Sequence, residues 1–344
     1  MTAAFRVVSP GLGASLQDSG RFGFRRSGVP VSGPMDRVAF GLANALAVNA
    51  PDTTALELLM FGPTLEVVAD SLRVAVVGSV TLQITTANGD VARPANQSFR
   101  LERGDVLKVG ALDPVLCGYL ALEGGFVVPK VLGSMATYMR SALGGIDGRV
   151  LRQGDVLHGS LANAELRSER ALAREIAPAF DQPIRVVKGP QDDYFSDAAM
   201  ETFLSQTYTV SPQSDRMGFR LEGPALEHVK GYNIVSDGIV CGSIQVPGDG
   251  KPIVLMADSQ TAGGYPKIAT VISADIPVLA RRKPGRSVRF AAVSRDEAEA
   301  IRRQQETDTQ KVIAEMRDVK AEAAIDLDAL QDANLIGGVV NAFE

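Results

Sequence analysis

Short runs of β-branched and leucine residues alternate along this chain with glycine, proline, aspartate and asparagine. Leu65–Val68, Leu72–Val77, Thr81–Thr85, Gly118–Leu122 and Ile184–Val187 each fit a strand bounded by turn residues. Two segments, from Phe99 and from Val150, share a Gly-Asp turn leading into a strand. Turns this closely spaced favour a closed barrel or sandwich over alternating β-α-β units, so the expected class is mainly β. Four stretches carry helical signals. Asp36 precedes a helix over Arg37–Val48 with Val38, Leu42, Ala45 and Leu46 on one face. Asn163–Ile176, charged and rich in alanine, predicts a second, and Ser196 caps a third through Met200 to Leu204. Ser294-Arg-Asp-Glu297 is a capping box opening a helix from Glu297 to about Lys320, whose charge suits a solvated or interface position.

Polar residues concentrate just past one apolar run. Pro252–Met256 leads into Asp258-Ser259-Gln260-Thr261 and Gly263-Gly264-Tyr265-Pro266. Carboxylate, amide, hydroxyl and phenol groups on a glycine-rich loop behind a strand offer complementary donors and acceptors. They suit a small amide, urea-like or carboxylate ligand. Asp258, Gln260 and Tyr265 are the candidate catalytic residues. Gln245, Thr261, Gln213, Asp215, Arg216, Asp18 and Arg21 are the candidate substrate-binding residues, drawn from that loop and from two others, Gln17–Arg25 and Ser211–Gly218. Those two loops share a faint echo: Gln17 to Arg25 resembles Gln213 to Arg220 with one residue inserted, which would follow if the chain held two related barrels in tandem. Each loop has a plainer reading: Asp18 with Arg21 as a turn-closing ion pair, Asp36 as a helix cap, Glu57 as the partner of a buried arginine, and Asp215-Arg216 as a hairpin cap.

Composition narrows the field. The 344 residues are 45% apolar, enough for a substantial core, and a net charge of -5 gives no whole-chain basic surface for nucleic acid. The two cysteines, Cys117 and Cys241, lie in apolar or small-residue surroundings and fit reduced thiols. No signal-peptide pattern opens the chain and no apolar run is long enough to cross a bilayer, so a soluble, cytoplasmic protein is expected, with no membrane partner. Gly248-Asp-Gly250-Lys251 is followed by proline and is no phosphate loop, and Gly11-Leu-Gly13 lacks the third glycine of a dinucleotide fingerprint. The only histidines, His158 and His228, have no metal ligand at a suitable spacing, so no metal site is expected, and no nucleophile elbow occurs.

Four runs together resemble the biotin-dependent carboxyltransferase family: SLQDSGRFGFRRSGVPVSGPMD (15–36), ALELLMFGPTLE (55–66), SDRMGFRLEG (214–223) and SIQVPGDGKPIVLMADSQTAGGYPKIATV (243–271). The resemblance extends from about Phe5 to Val293. That family includes the C-type subunit of bacterial ATP-dependent 5-oxoprolinase, the KipA protein and a segment of urea carboxylase. It implies two cyclophilin-like β-barrels, over residues 1–180 and 181–293, followed by a charged helix and tail over 294–344. It also implies two partners, a KipI-like protein (the B-type 5-oxoprolinase subunit) and a LamB/YcsF-type protein (the A-type one). Together these use ATP, with Mg2+, to open the lactam of 5-oxo-L-proline to glutamate. An alternative activity is transfer of a carboxyl group from carboxybiotin to urea or a related amide. This chain lacks the biotin-carboxylase region and biotinylated lysine motif that such transfer requires. A non-catalytic role of the KipA kind, binding a KipI-like protein, is the third expectation. The run Asn334 to Asn341 suggests a short end that docks on a partner.

Overall fold

A computed structural model describes residues 2–174 and 179–319, so the expected docking run Asn334 to Asn341 lies outside the described residues. Strand exceeds helix, 36% against 17%, in keeping with the turn-punctuated pattern. Two antiparallel sheets form the N-terminal half. One runs in the order Val156–Gly159, Thr2–Ser9, Thr64–Val67, Val106–Leu112, Val80–Thr86, Gly89–Arg93. The other runs Leu12–Gln17, Ala55–Leu59, Cys117–Leu122, Ser71–Val77, Gln97–Glu102, Glu169–Ala171, Arg317–Val319. Phe5, Leu56, Leu58, Leu65, Phe99 and Leu107 belong to the core they share.

Strand alternation explains why Ser71–Val77 is buried throughout. Leu72, Val74 and Val76 face the core between the sheets, while Ala75 and Val77 face the opposite side, where a helix covers them. That helix, α1 (Arg37–Leu46), starts where Asp36 accepts from the amides of Val38 (3.1 Å) and Ala39 (3.0 Å). It buries Phe40, Leu42, Ala43 and Leu46 against the sheet; of the face expected from the sequence, Leu42 and Leu46 are buried while Val38 and Ala45 are only partly so.

The C-terminal half is a nearly closed barrel. Its order is Ser287–Val288, Tyr208–Val210, Gly218–Glu222, Ile253–Leu255, Ser243–Gln245, Lys267–Val271, Ile184–Lys188, Phe290–Ala292. The first and last members are two pieces of one chain segment, 287–292. It pairs antiparallel with Tyr208 on one side and parallel with Ile184 on the other, so one strand satisfies both edges. Inside, Phe203 of α2 (Asp197–Ser205, capped by Ser196) stacks on Phe290 at 4.6 Å. Met35 and Cys117 of the N-terminal half also enter this core. A third helix, α3 (Ile276–Ala280), lies between Lys267–Val271 and the 287–292 segment of the barrel, and a fourth, α4 (Arg295–Ala314), follows the barrel. The capping box at Ser294 is formed, no residue of α4 is buried, and its flanks carry Arg295–Glu299 and Arg302–Glu306 pairs.

Two helical expectations are corrected. Between Asn163 and Arg174 there is no helix; Glu169–Ala171 is a strand, and the remainder to Ile176 lies outside the described residues. The cause is Arg73, buried in the sheet. It donates to the backbone carbonyls of Glu165 (2.8 Å) and Arg167 (3.0 Å), which a helix would use itself, and to the carboxylates of Glu123 and Glu169 (2.9 Å each). The C-terminal helix ends at Ala314 rather than near Lys320, because Arg317–Val319 turns back to pair with Glu169–Ala171. The short helix α3 has no counterpart among the sequence expectations.

Candidate functional site

Glu57 is the one charged side chain in the strand Ala55–Leu59. With Leu56 and Leu58 in the sandwich core, alternation turns Glu57 the other way, opposite Tyr119 in register. There it meets Arg216 from the barrel. Arg216 donates through Nε to Asp258 Oδ2 (2.8 Å), through Nη2 to Asp258 Oδ1 (3.1 Å) and to the carbonyl of Gly33 (2.7 Å), and through Nη1 to Glu57 Oε1. Glu57 Oε2 accepts from the amide of Met35 (2.9 Å) and from Tyr119 Oη (2.6 Å); Tyr119 Oη in turn accepts from the amide of Asp36 (2.9 Å). Asp36 also receives Arg281 Nε. A continuous polar network therefore links the sheet, the helix cap and the barrel across their common boundary.

Every member of the Glu57–Arg216–Asp258 triad is buried. Burial opposes the charge on Arg216, but the adjoining carboxylates of Asp258 and Glu57 outweigh it and hold the guanidinium above its ordinary value. Burial, then Glu57, pushes the Tyr119 phenol well above its usual range, so it stays a donor. Gly33 makes the approach feasible. Its φ of +81° suits glycine, and a Cβ there would sit 3.0 Å from the carbonyls of Asp18 and Ser19.

Beside the triad lie Asp18 and Arg21, both buried. They are not directly paired. Asp18 accepts from the amides of Gly20 (2.9 Å) and Met135 (2.6 Å) and from Ser134 Oγ (2.6 Å). Arg21 donates to the carbonyls of Val131 (3.0 Å) and Ala136. Together they pin the 131–136 loop to the 17–33 loop. Burial lowers the Arg21 pKa, and Asp18 and Asp258 pull it back.

The remaining expected residues sit elsewhere. Gln260 is exposed and donates weakly to Gln245 Oε1 at 3.4 Å, and buried Gln245 reaches the carbonyl of Tyr265, also at 3.4 Å. Tyr265 is exposed, while Thr261 contributes its carbonyl to the amide of Ile239 (3.0 Å). Asp215 is exposed and accepts from the amides of Met217 (2.8 Å) and Gly218 (3.2 Å); Gln213 is exposed on the same turn. Asp258, Arg216, Asp18 and Arg21 therefore meet at the boundary of the two halves, and Gln245, Gln260 and Tyr265 form a separate outer group.

A cleft of about 1160 Å³ opens alongside the boundary, between α1, the barrel and α4. Ser259 lines it directly after Asp258, as do Ser32, Cys241, Arg25 and Arg37. Cys241 is exposed at the cleft; partial loss of water around its thiol raises the pKa, and Arg37 and Arg25 lower it. Of these, Ser259 and Arg25 belong to loops singled out from the sequence, whereas Ser32, Arg37 and Cys241 were not among its candidate site residues. Ser32 and Arg25 lie in its 15–36 run, but the sequence gives no sign that the run folds across the barrel.

Comparisons with known proteins place the chain in a family. A model described as "Carboxyltransferase domain, subdomain A and B" matches residues 27–292, and the chain belongs to that family. It is 38% identical to the C-type subunit of Haemophilus influenzae 5-oxoprolinase over 85% of this chain and 92% of the relative. Against the C-type subunit of Escherichia coli 5-oxoprolinase the figures are 32%, 88% and 95%. The crystal structure of the K. lactis urea amidolyase matches 90% of this chain with a TM-score of 0.79 at 30% identity, yet the chain covers only 20% of that much longer protein.

Proposed function

We propose that this chain is the C-type subunit of an ATP-dependent 5-oxoprolinase and helps to open the lactam of 5-oxo-L-proline to L-glutamate. The observation that carries the reading is the match to a C-type 5-oxoprolinase subunit over 85% of this chain and 92% of the H. influenzae relative. The cleft supports it: small hydroxyls and arginines line a space ample for a five-membered ring bearing a carboxylate. A lactam carbonyl is a poor electrophile. ATP would supply the activation by passing its γ-phosphoryl group to the lactam oxygen with release of ADP; one water would then add to the activated carbon as the C–N bond breaks, and a second would release phosphate. Among the described residues no group of three or more His, Cys, Asp or Glu side chains could hold a metal ion, and Mg2+ that arrives with ATP needs only one or two carboxylates beside phosphate and water oxygens. In this reading ATP with Mg2+ belongs to the assembled enzyme, with a KipI-like B-type protein and a LamB/YcsF-type A-type protein as partners.

Within that assembly, the buried triad fixes the walls of the cleft. Asp258 is held by Arg216, and the next residue, Ser259, lines the cleft. The test is co-expression with both partner proteins and an assay of glutamate release from 5-oxoproline with ATP and Mg2+. ATP-dependent glutamate release by the complex and none by the isolated chain is the expected result; a complex that hydrolyses no 5-oxoproline overturns the reading. The likeness to urea amidolyase favours a second reading, carboxyl transfer from carboxybiotin to urea or a related amide. It predicts activity only when biotin carboxylase and biotin carrier components are added.

A further inference from the structure

Ser32 is buried, 2% exposed, and lines the cleft, yet among the described residues its Oγ has no hydrogen-bond partner. Its backbone is held at a φ of 57°, a region that side-chain-bearing residues rarely adopt. Neighbouring contacts fix it there: the Ser32 amide donates to the carbonyl of Ala257 (3.2 Å), and the next carbonyl, of Gly33, is taken by Arg216. An unpartnered hydroxyl and an unfavourable backbone at one residue are both costs, and their coincidence on a cleft wall marks a position held for a ligand.

Two guanidinium groups line the same cleft. The Arg25 side chain has no hydrogen-bond or ion-pair partner among the described residues, and that of Arg37 donates only to the carbonyl of Ser19, at 3.4 Å. The Ser19 carbonyl that receives Arg37 also lies 3.0 Å from where a Cβ on Gly33 would sit, which puts the Arg37 head beside the residue that follows Ser32. The carboxylates on the α4 wall are otherwise engaged: Glu299 and Glu306 pair with Arg295 and Arg302 of the same helix. Asp258, behind the wall, is taken by Arg216. The charge left over where Arg25, Arg37 and Ser32 line the cleft is positive.

We propose that Ser32, Arg25 and Arg37 form an oxyanion-binding subsite, with Ser32 Oγ donating one hydrogen bond and the two arginines supplying the charge. The group it takes is a carboxylate, as on 5-oxoproline, or a phosphoryl oxygen, as on a phosphorylated intermediate. This deepens the reading given above and rests on it for the choice of ligands.

The test is calorimetric titration of the full chain with 5-oxoproline, with 2-pyrrolidinone (the same ring without a carboxylate) and with inorganic phosphate. Alkylation of Cys241 by iodoacetamide is followed in parallel. Binding of 5-oxoproline or phosphate, no binding of 2-pyrrolidinone and slowed Cys241 alkylation in the presence of the bound anion are expected. Binding of 5-oxoproline alone identifies the carboxylate source, and of phosphate alone the phosphoryl source. Ser32→Gly, Arg25→Gln and Arg37→Gln should each weaken binding about ten-fold, as expected for the loss of one charge-assisted hydrogen bond. Ser32→Gly should do so with an unchanged or raised Tm, because glycine accepts the positive φ. Wild-type chain that binds neither anion, equal binding of 2-pyrrolidinone, or variants that bind as wild type would each overturn the subsite. The two proposals separate cleanly. Anion binding by the chain without turnover in the complex removes the oxoprolinase reading alone. Turnover with KM unchanged in Ser32→Gly and Arg25→Gln removes the subsite alone.

Discussion

Asp258 and Gln260 are two residues apart, yet they inhabit different physical worlds. Asp258 is 2% exposed and bound through both oxygens to a buried guanidinium, whereas Gln260 is exposed and its one side-chain contact is a 3.4 Å amide pair. The inner group is charged, dense and shared between the two halves of the molecule. The outer group, with Gln245 and Tyr265, is neutral, loosely bonded and confined to the barrel. A side chain's weight in stability follows from what would be stranded by its loss, and by that measure the two groups should respond very differently.

The sharpest break of this contrast is Arg216→Met. It leaves Glu57 and Asp258 buried without their cation, and removing one member of such a set costs about 3–5 kcal/mol. A large drop in Tm, or failure to recover soluble chain, is expected; a Tm within a few degrees of wild type would show that water or another donor reaches the carboxylates. Asp258→Asn keeps the shape and one acceptor oxygen, so a smaller loss of about 1–3 kcal/mol is expected. Measuring Tm together with glutamate release in the complex separates its two possible roles. Activity lost well beyond the fraction unfolded assigns Asp258 to the chemistry, and activity that follows stability assigns it to the scaffold.

Tyr208 sharpens the comparison from within the barrel. Its hydroxyl is buried with no partner among the described residues, and burial raises the phenol from 10.0 to about 12. The folded chain thus keeps a proton that the unfolded chain releases near pH 10. The contribution is complete below that pH and is lost as pH rises towards 12. Tyr208→Phe should stabilise the chain by about 1 kcal/mol and make its alkaline unfolding shallower, as read by denaturation across pH 9–12. The smallest effect is expected outside: Gln260→Ala and Tyr265→Phe should shift stability by no more than about 0.5 kcal/mol. Loss of glutamate release in either variant at unchanged Tm would make the outer group part of the reaction and the inner one its support.

Local rules carried much of the architecture. Asp36 and Ser294 announce helix starts because a short polar side chain before a periodic apolar or helix-forming run has an amide to cap, and both caps are formed. Glu57 is legible as a paired charge, since a lone carboxylate among leucines must find a cation. What local pattern could not show is demand from a distance. Arg73 needs the carbonyls of Glu165 and Arg167, and that need overrides the helical composition of Asn163–Arg174. The same limit applies to the site. Asp18, Arg21, Arg216 and Asp258 could be nominated one loop at a time, but their convergence depends on the barrel docking against the sheet. Ser32 was hidden for the same reason, because an unpartnered hydroxyl is visible only once its neighbours are in place.

The strand Arg317–Val319 is added to the edge of a sheet whose other members all precede the barrel in the chain. A chain emerging from the ribosome presents Glu169–Ala171 as an open edge while the whole barrel is still being synthesised. Exposed edges invite pairing with other chains, and N-terminal portions fold first during synthesis. Pairing of Glu169–Ala171 with Arg317–Val319 is therefore delayed until the barrel and α4 have been made. Premature termination between the barrel and Arg317 would leave Glu169–Ala171 unpaired on that side, an added open edge on which other chains could pair.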